Sequence, residues 1–154
     1  MEPLIVLITV FLLALVITRI IKKKWLFPFA GRITMSTLLL FTAAGHFVYP
    51  DGMALMLPGF IPYKLEVIYV TGILEILAAI GVLITRYQKL TAWLLIIFFI
   101  AILPANIYAA IHQVNLTTAN YDGRGLNYLW FRVPLQLLFI AWVYYFAIKK
   151  AGQN

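Results

Sequence analysis

Two charged residues stand inside long apolar segments of this 154-residue chain and are the first candidates for chemistry. Glu75 lies in the stretch Gly72-Ile73-Leu74-Glu75-Ile76, and Arg132 lies in the last apolar segment. A lone carboxylate in such surroundings tends to take up a proton or to pair with a cation. Ionisable residues of apolar helices usually face the bundle interior and have partners there. We therefore predict that Glu75 and Arg132 pair, directly or through one water molecule.

Further polar side chains accompany Arg132. Gln136 follows it by four residues and Tyr128 precedes it by four, so the three share one helix face. At about 1.5 Å of rise per residue, His46 and Asn106 fall at nearly the same depth as Arg132, in the outer third of a membrane. The sequence thus predicts a polar pocket that opens to the outer side. The alternative is a buried ion pair that only fixes helix packing. The candidate pocket or ligand-binding residues are Glu75, Arg132, Gln136, His46, Asn106 and Tyr128.

The two histidines, His46 and His112, each fall near the outer end of an apolar segment. Paired ligation of a haem or a metal is one interpretation of this placement. Because no acidic cluster accompanies them, we assign no metal site and expect His46 to form hydrogen bonds within the pocket. His112 is expected at the membrane interface. The sequence contains no nucleophile elbow, phosphate loop or metalloprotease motif, so no catalytic residue is assigned.

Apolar helices must position these side chains. The chain is 64% hydrophobic and 11% charged, whereas soluble domains typically have about 45–50% apolar and about 25% charged residues. Lipid must cover so much apolar surface. A membrane-spanning helix needs roughly 20 mostly apolar residues, and five such stretches occur, at about residues 3–21, 32–49, 63–84, 90–112 and 126–148. The sequence therefore predicts an all-α, polytopic transmembrane helix bundle.

The basic residues predict the orientation of this bundle. With the N-terminus outside, only Lys64, Arg124 and Arg132 fall in the outer half. The inner side then holds Arg19, Lys22, Lys23, Lys24, Arg32, Arg86, Lys89, Lys149 and Lys150. This bias is the one that the positive-inside rule describes. We predict a bacterial inner-membrane protein with its N-terminus outside and its C-terminus in the cytoplasm. The net charge of +7 thus reflects orientation and not binding to nucleic acid.

The first apolar segment is preceded by Glu2 and followed by basic residues, a charge order opposite to that of a cleaved signal peptide. We interpret it as an uncleaved anchor, with a signal peptide as the alternative. The chain has no cysteine, which rules out disulfides, thiol redox chemistry and cysteine-ligated clusters. A redox role would therefore need a bound cofactor or a diffusible lipid-soluble carrier.

Two outer connections differ in character. Residues 50–62 include Leu55, Leu57 and Phe60 among prolines and glycines, and are too apolar to extend into water. We expect this connection to lie on the membrane surface or to fold over the end of the bundle. Residues 113–125 are polar and rich in turn-forming residues.

Several short motifs of the chain resemble the DoxX-like family of small membrane proteins. They are Gly45-His46-Phe47 with Pro50, Leu57-Pro58 through Ile61-Pro62, Gly72-Ile73-Leu74-Glu75-Ile76 with Gly81-Val82-Leu83-Ile84, Ala92-Trp93, Pro104-Ala105-Asn106-Ile107-Tyr108 and Arg132-Val133-Pro134-Leu135-Gln136. Their order and spacing carry the resemblance over about residues 33–145. It implies a four-helix membrane domain at residues 31–154, preceded by an added anchor helix and basic inner loop at residues 1–30.

The resemblance also bears on function. Family members are tied to a thiosulfate:quinone oxidoreductase subunit, to redox stress and to the assembly of partner membrane proteins. We therefore expect an accessory or assembly subunit of a membrane complex, without catalytic activity of its own. Its partners would be the bilayer and other membrane proteins or further copies of the chain. The alternative is an oxidoreductase component that meets a quinone or lipid at the pocket, with Glu75 or His46 relaying protons. A small transporter or proton path ranks lowest. No cofactor is evident beyond a quinone or lipid.

Overall fold

The computed structural model of the protein describes residues 2–152. Within that range every named element is a helix, and one isolated bridge joins Asn115 to Asn120. The α-helices are α1 (Glu2–Lys22), α2 (Phe27–Val48), α3 (Pro50–Leu55), α4 (Lys64–Gly81), α5 (Gln88–Ile111) and α6 (Leu129–Val143). A 3-10 turn, Gly125–Tyr128, leads into α6, and a π-helical segment, Tyr144–Lys149, continues it.

Four helical segments are long and apolar enough to cross a membrane, as expected of a membrane protein. They are Glu2–Lys22, Phe27–Val48, Gln88–Ile111 and the continuous stretch Gly125–Lys149. The remaining predicted span, 63–84, forms α4, which is only 18 residues long and carries Lys64, Glu66 and Glu75. These three charges lower its apolar character, and α4 is not among the four.

α2 begins at Phe27 and not near residue 32 as predicted, so the connection from α1 shortens to residues 23–26. Pro28 explains the earlier start, because it lies in the first turn of α2, where its fixed φ suits a helix and its missing N–H costs nothing. Lys23 turns the chain with a φ of 54°. The stretch 27–31, predicted as loop, is therefore helical.

The helices form a bundle of neighbouring pairs. α1 and α4 both pack against α2, α6 packs along α5, and the π-helical segment contacts α2 and α5. We name the two ends of the bundle by their connections. The long-loop end carries residues 49–63 and 112–128, and the basic end carries residues 23–26 and 82–87. Five of the six candidate pocket residues lie in the helices between these ends, and Tyr128 lies in the 3-10 turn at the long-loop end.

The larger of two apolar clusters joins α1, α2, α4, α5, α6 and the π-helical segment, and the smaller one, around Ala14, Leu15 and Ala30, joins α1 to α2. The most buried members of the larger cluster are Leu7, Met35, Leu38, Leu39, Val82, Ala92 and Val143. The Trp142 ring packs edge-on against Phe11, and its Nε1 donates a hydrogen bond of 2.9 Å to the Gly31 carbonyl. α1 is thereby fastened to the rest of the bundle along one face.

Large apolar side chains also point outward from the bundle. On α1 they are Ile5, Ile8, Leu12, Leu13, Val16, Ile17, Ile20 and Ile21, and on α5 they are Leu90, Trp93, Leu94, Ile97, Ile100, Ile107 and Ile111. Exposed apolar surface this extensive suits contact with lipid or with other apolar helices.

The apolar connection 50–62 folds against the bundle over part of its length. It begins with the short helix α3, which contacts α2 and α4. Leu55 and Leu57 are half-buried. Phe60 is 84% exposed, so this side chain does not fold over the end of the bundle.

Candidate functional site

Glu75 of α4 meets His46 of α2 inside the bundle. The Glu75 carboxylate oxygen Oε2 lies 3.7 Å from His46 Nε2, and the two side chains are 6% and 12% exposed. Gly72 permits this approach, because a Cβ added there would lie 2.8 Å from the His46 Cβ. α4 can therefore lie close enough to α2 for the carboxylate to reach the imidazole. We call these two residues the His46–Glu75 dyad.

The contacts of the imidazole restrict where its protons are. His46 Nδ1 lies 2.9 Å from the Ile68 carbonyl oxygen and 3.1 Å from Thr71 Oγ1. A carbonyl oxygen only accepts hydrogen bonds, so Nδ1 carries the proton in this contact. The Thr71 hydroxyl in turn donates to the backbone carbonyls of Val67 and Ile68.

Two protonation arrangements would make the contact between His46 and Glu75 attractive. With Nδ1 protonated, an attractive contact between Nε2 and Glu75 requires either an imidazolium facing a carboxylate or a neutral imidazole facing a carboxylic acid. Both arrangements are neutral overall, which suits a buried apolar site. Oε2 of Glu75 is fully buried and has no hydrogen-bond partner within residues 2–152. Oε2 therefore faces the imidazole of His46 without forming a hydrogen bond.

Arg132 lies in a second polar network, between α5 and α6. Its Nη2 donates a 3.1 Å hydrogen bond to Asn106 Oδ1, and its Nη1 lies 3.4 Å from the Tyr128 hydroxyl. Asn106 Nδ2 donates to Gln136 Oε1 at 3.0 Å, and Gln136 Nε2 donates to the Phe99 carbonyl. The predicted stripe of Tyr128, Arg132 and Gln136 therefore acts as one unit. We call these three residues with Asn106 the Arg132 network.

The predicted direct pair of Glu75 and Arg132 is wrong. Glu75 pairs with His46, whereas Arg132 bonds only to neutral oxygens, and no carboxylate in the described chain lies within salt-bridge distance of it. The reason is helix order, since α4 packs chiefly on α2 and α6 chiefly on α5. The polar residues form two separate units instead of one centred on an ion pair.

Two open clefts lie at the long-loop end. The first, of about 330 Å³, is lined by Ala110, Ile111, Gln113, Gly123, Arg124, Gly125, Leu126 and Asn127. The second, of about 280 Å³, is lined by Arg124, Asn127, Tyr128 and Phe131. Neither is lined by Glu75, His46, Arg132, Asn106 or Gln136, so only Tyr128 of the predicted pocket residues borders one of them.

A third buried polar group lies at the basic end and was missed from the sequence. Arg32 is 3% exposed and its Nη1 donates to Gln88 Oε1 at 3.2 Å. Gln88 Nε2 donates to the Ala147 carbonyl of the π-helical segment at 3.0 Å. Ser36 also bridges helices, donating to the Ala79 carbonyl at 2.8 Å. Arg32 is thus a packed residue of α2, although it was predicted among the loop cations that set orientation.

His112 lies away from the dyad. It is exposed at the end of α5, where it stacks on Tyr108 with ring centres 3.9 Å apart and contacts the Tyr108 carbonyl. His46, in contrast, is occupied by Ile68, Thr71 and Glu75. The structure therefore does not bring the two histidines together as a paired ligand set. Residues 2–152 contain no group of three or more His, Asp or Glu placed to hold a metal ion.

Comparison with known proteins identifies one family. The model of the family described as Domain of unknown function (DUF8561) matches residues 35–147, from the middle of α2 to the π-helical segment. No curated protein and no solved structure matches the chain. The matched range contains the dyad and the whole Arg132 network, whereas α1 lies before it.

Proposed function

The chain belongs to the family of unknown function DUF8561, and we propose that it is an accessory or assembly subunit of a membrane complex. It would have no catalytic activity alone. Its polar side chains would hold the bundle together, and its outward apolar faces would meet lipid and partner helices. The resemblance of its motifs to DoxX-like proteins, some of which serve partner membrane proteins, agrees with this role.

One observation carries the proposal: the polar side chains inside the bundle bond to one another. Glu75 contacts His46, and Arg132 contacts Asn106, which contacts Gln136. The two clefts lie at the long-loop end, and of these two polar units only Tyr128 lines one of them. Polar side chains that fix helix packing must contact one another, because burying a polar group without a partner costs folding free energy.

The same proposal includes the finer arrangement in the membrane. α4 would make a fifth crossing among the four longer helices. Its Glu75 would be neutralised by pairing with His46 in the dyad, and Lys64 at its start would lie at the membrane interface. The basic end would face the cytoplasm of a bacterial inner membrane, with the N-terminus outside. α1 would be an anchor added to a four-helix DoxX-like domain at residues 31–154. The start of the family match at residue 35, after α1, supports this division.

Site-specific cross-linking tests the subunit role. A photo-reactive amino acid at Leu13 or Ile97, 55% and 61% exposed, should capture a constant partner in native membranes. Matched positions Leu7 and Leu95, 1% and 2% exposed, should not capture it. Deleting the gene for this chain should also lower the amount of that partner. Equal capture from buried and exposed positions, or a partner whose abundance is unchanged, would contradict the proposal.

A second candidate function rests on the dyad. A buried carboxylate that faces an imidazole and leaves Oε2 without a hydrogen bond suits an oxidoreductase component that passes a proton to a quinone or another lipid-soluble carrier. The chain has no cysteine and so no thiol redox group, and the electrons would come from a partner protein or a bound cofactor.

Extraction of bound lipids distinguishes the two candidates. A quinone retained by the purified wild-type protein and lost in Glu75→Gln would favour the oxidoreductase component. Equal quinone content in wild type, Glu75→Gln and the control Glu66→Gln would count against it.

A further inference from the structure

The two clefts at the long-loop end share a wall. Arg124 and Asn127 line both of them, so the clefts adjoin at these two residues. On one side lie the polar side chain of Gln113 and the backbone of the 123–125 turn, and on the other lie the rings of Tyr128 and Phe131. The combined surface is polar at one end and aromatic at the other, as a site for an amphiphile should be.

The positive charge in this region has no carboxylate partner. Arg124 is exposed, and no acidic side chain in residues 2–152 forms an ion pair with it. Asp122, the nearest acidic residue in sequence, accepts a hydrogen bond from Thr118 instead. Arg132 lies behind Tyr128, with its guanidinium 5.9 Å from the centre of the Tyr128 ring, and it bonds only to neutral oxygens. Both arginines thus lie beside Tyr128, and neither forms an ion pair with a carboxylate of residues 2–152.

The neighbouring surface is apolar. Trp130 is 85% exposed and Leu126 is 60% exposed, both within the short stretch that carries Arg124 and Phe131. Tryptophan side chains favour the boundary between lipid headgroups and acyl chains. A molecule seated here would therefore place its charged group in the cleft at Arg124 and its apolar part against Phe131 and Trp130.

We propose that this region, lined by Arg124, Asn127, Tyr128 and Phe131, binds a lipid with an anionic phosphate headgroup. The phosphate would accept hydrogen bonds from the Arg124 guanidinium, whose planar fork matches its oxygens. The Arg132 guanidinium would add attraction from behind the Tyr128 ring. This site uses different residues from the dyad, and it stands whether or not the protein is an accessory subunit.

Native mass spectrometry of the purified full-length protein tests the proposal. Phosphatidylglycerol and phosphatidylcholine are added in parallel, and the lipid-bound fraction is measured at each concentration. Phosphatidylglycerol should bind at least about fivefold more tightly, since one basic residue near a lipid surface contributes about that factor. Equal binding of the two lipids would overturn the proposal.

Two variants place the site on the molecule. Arg124→Gln should weaken phosphatidylglycerol binding about fivefold. The matched control Arg86→Gln removes an equally exposed arginine from the basic end and should leave binding unchanged. Equal losses from both variants would show a diffuse charge effect and overturn the site. A melting temperature equal to that of wild type confirms that Arg124→Gln is folded, which its place in an exposed loop favours.

A competition experiment distinguishes binding of the whole lipid from binding of its headgroup alone. Inorganic phosphate and the water-soluble glycerophosphoglycerol are offered as competitors to phosphatidylglycerol. If the aromatic side chains hold the apolar part, neither competitor should displace the lipid at concentrations matched to it. Displacement at matched concentration would show a simple anion site and overturn the assignment to a lipid.

Discussion

Mutation of the dyad gives the sharpest test of how the polar residues are paired. Glu75→Gln keeps the side-chain size and removes the carboxylate. His46→Asn retains a donor near the position of Nδ1, towards the Ile68 carbonyl, and removes Nε2. The pair of changes therefore deletes the contact between Nε2 and Oε2 while preserving its surroundings.

The size of the effect follows from the geometry. At 3.7 Å, opposite unit charges attract by roughly 4–5 kcal/mol at an effective dielectric constant of about 20. Removing two charges from water offsets much of this, and the neutral form of the dyad has a weaker attraction. We therefore expect a net interaction energy of about 1–2 kcal/mol, inside the range of roughly 0.5–3 kcal/mol that contacting residues show.

Reversible unfolding in mixed detergent micelles measures this energy for wild type, both single variants and the double variant. A second cycle with Glu75→Gln and Arg132→Gln is the control, because these residues contact different partners. The control losses should add within about 0.3–0.5 kcal/mol. Additive losses in the dyad cycle, or strong coupling in the control cycle, would refute the pairing described above.

Three other outcomes are expected. Gly72→Ala should destabilise the protein by about 1–3 kcal/mol, because the new Cβ would lie 2.8 Å from the Cβ of His46. The control Gly59→Ala, whose new Cβ would have no atom within 4 Å, should leave the melting temperature nearly unchanged. Gln88→Ala should cost about 1–3 kcal/mol, because it removes the hydrogen bonds that buried Gln88 forms with Arg32 and with the Ala147 carbonyl. The control Gln113→Ala, at an exposed site, should change stability by no more than about 0.5 kcal/mol, and equal thermal shifts for the two variants would contradict this. A reporter fused after Asn154 should behave as cytoplasmic and one inserted at residues 113–125 as external, and reversal of either result would refute the orientation.

The helices could be predicted from the sequence because their cause is local. Runs of apolar residues of membrane-spanning length set four long helices, and the observed ends lie close to the predicted ones in α1 and α5. The start of α2 was missed because Phe27–Gly31 lies between the basic residues Lys22–Lys24 and Arg32 and contains a proline and a glycine. Pro28 was the available signal, since proline favours the first turn of a helix.

The pairing of polar residues could not be predicted in the same way. Rise per residue gives the level of a side chain along its helix, but it does not give which helix lies beside it. Glu75 and Arg132 were paired by charge alone, whereas packing places Glu75 beside His46. The grouping of Arg132 with Gln136 and Tyr128 was predictable, because residues four apart share a helix face. Arg32 was missed because its burial depends on Gln88, which is 56 residues away in sequence.

The proposed role of this chain is that of a subunit in a larger membrane assembly. Its most direct test is the mass of the particles that contain it, after extraction from native membranes into polymer-bounded lipid discs without detergent. We expect particles well above the mass of a lipid disc holding one 17.5 kDa chain, with a second protein in fixed ratio. Discs that hold this chain as a monomer, with no second protein, would contradict it.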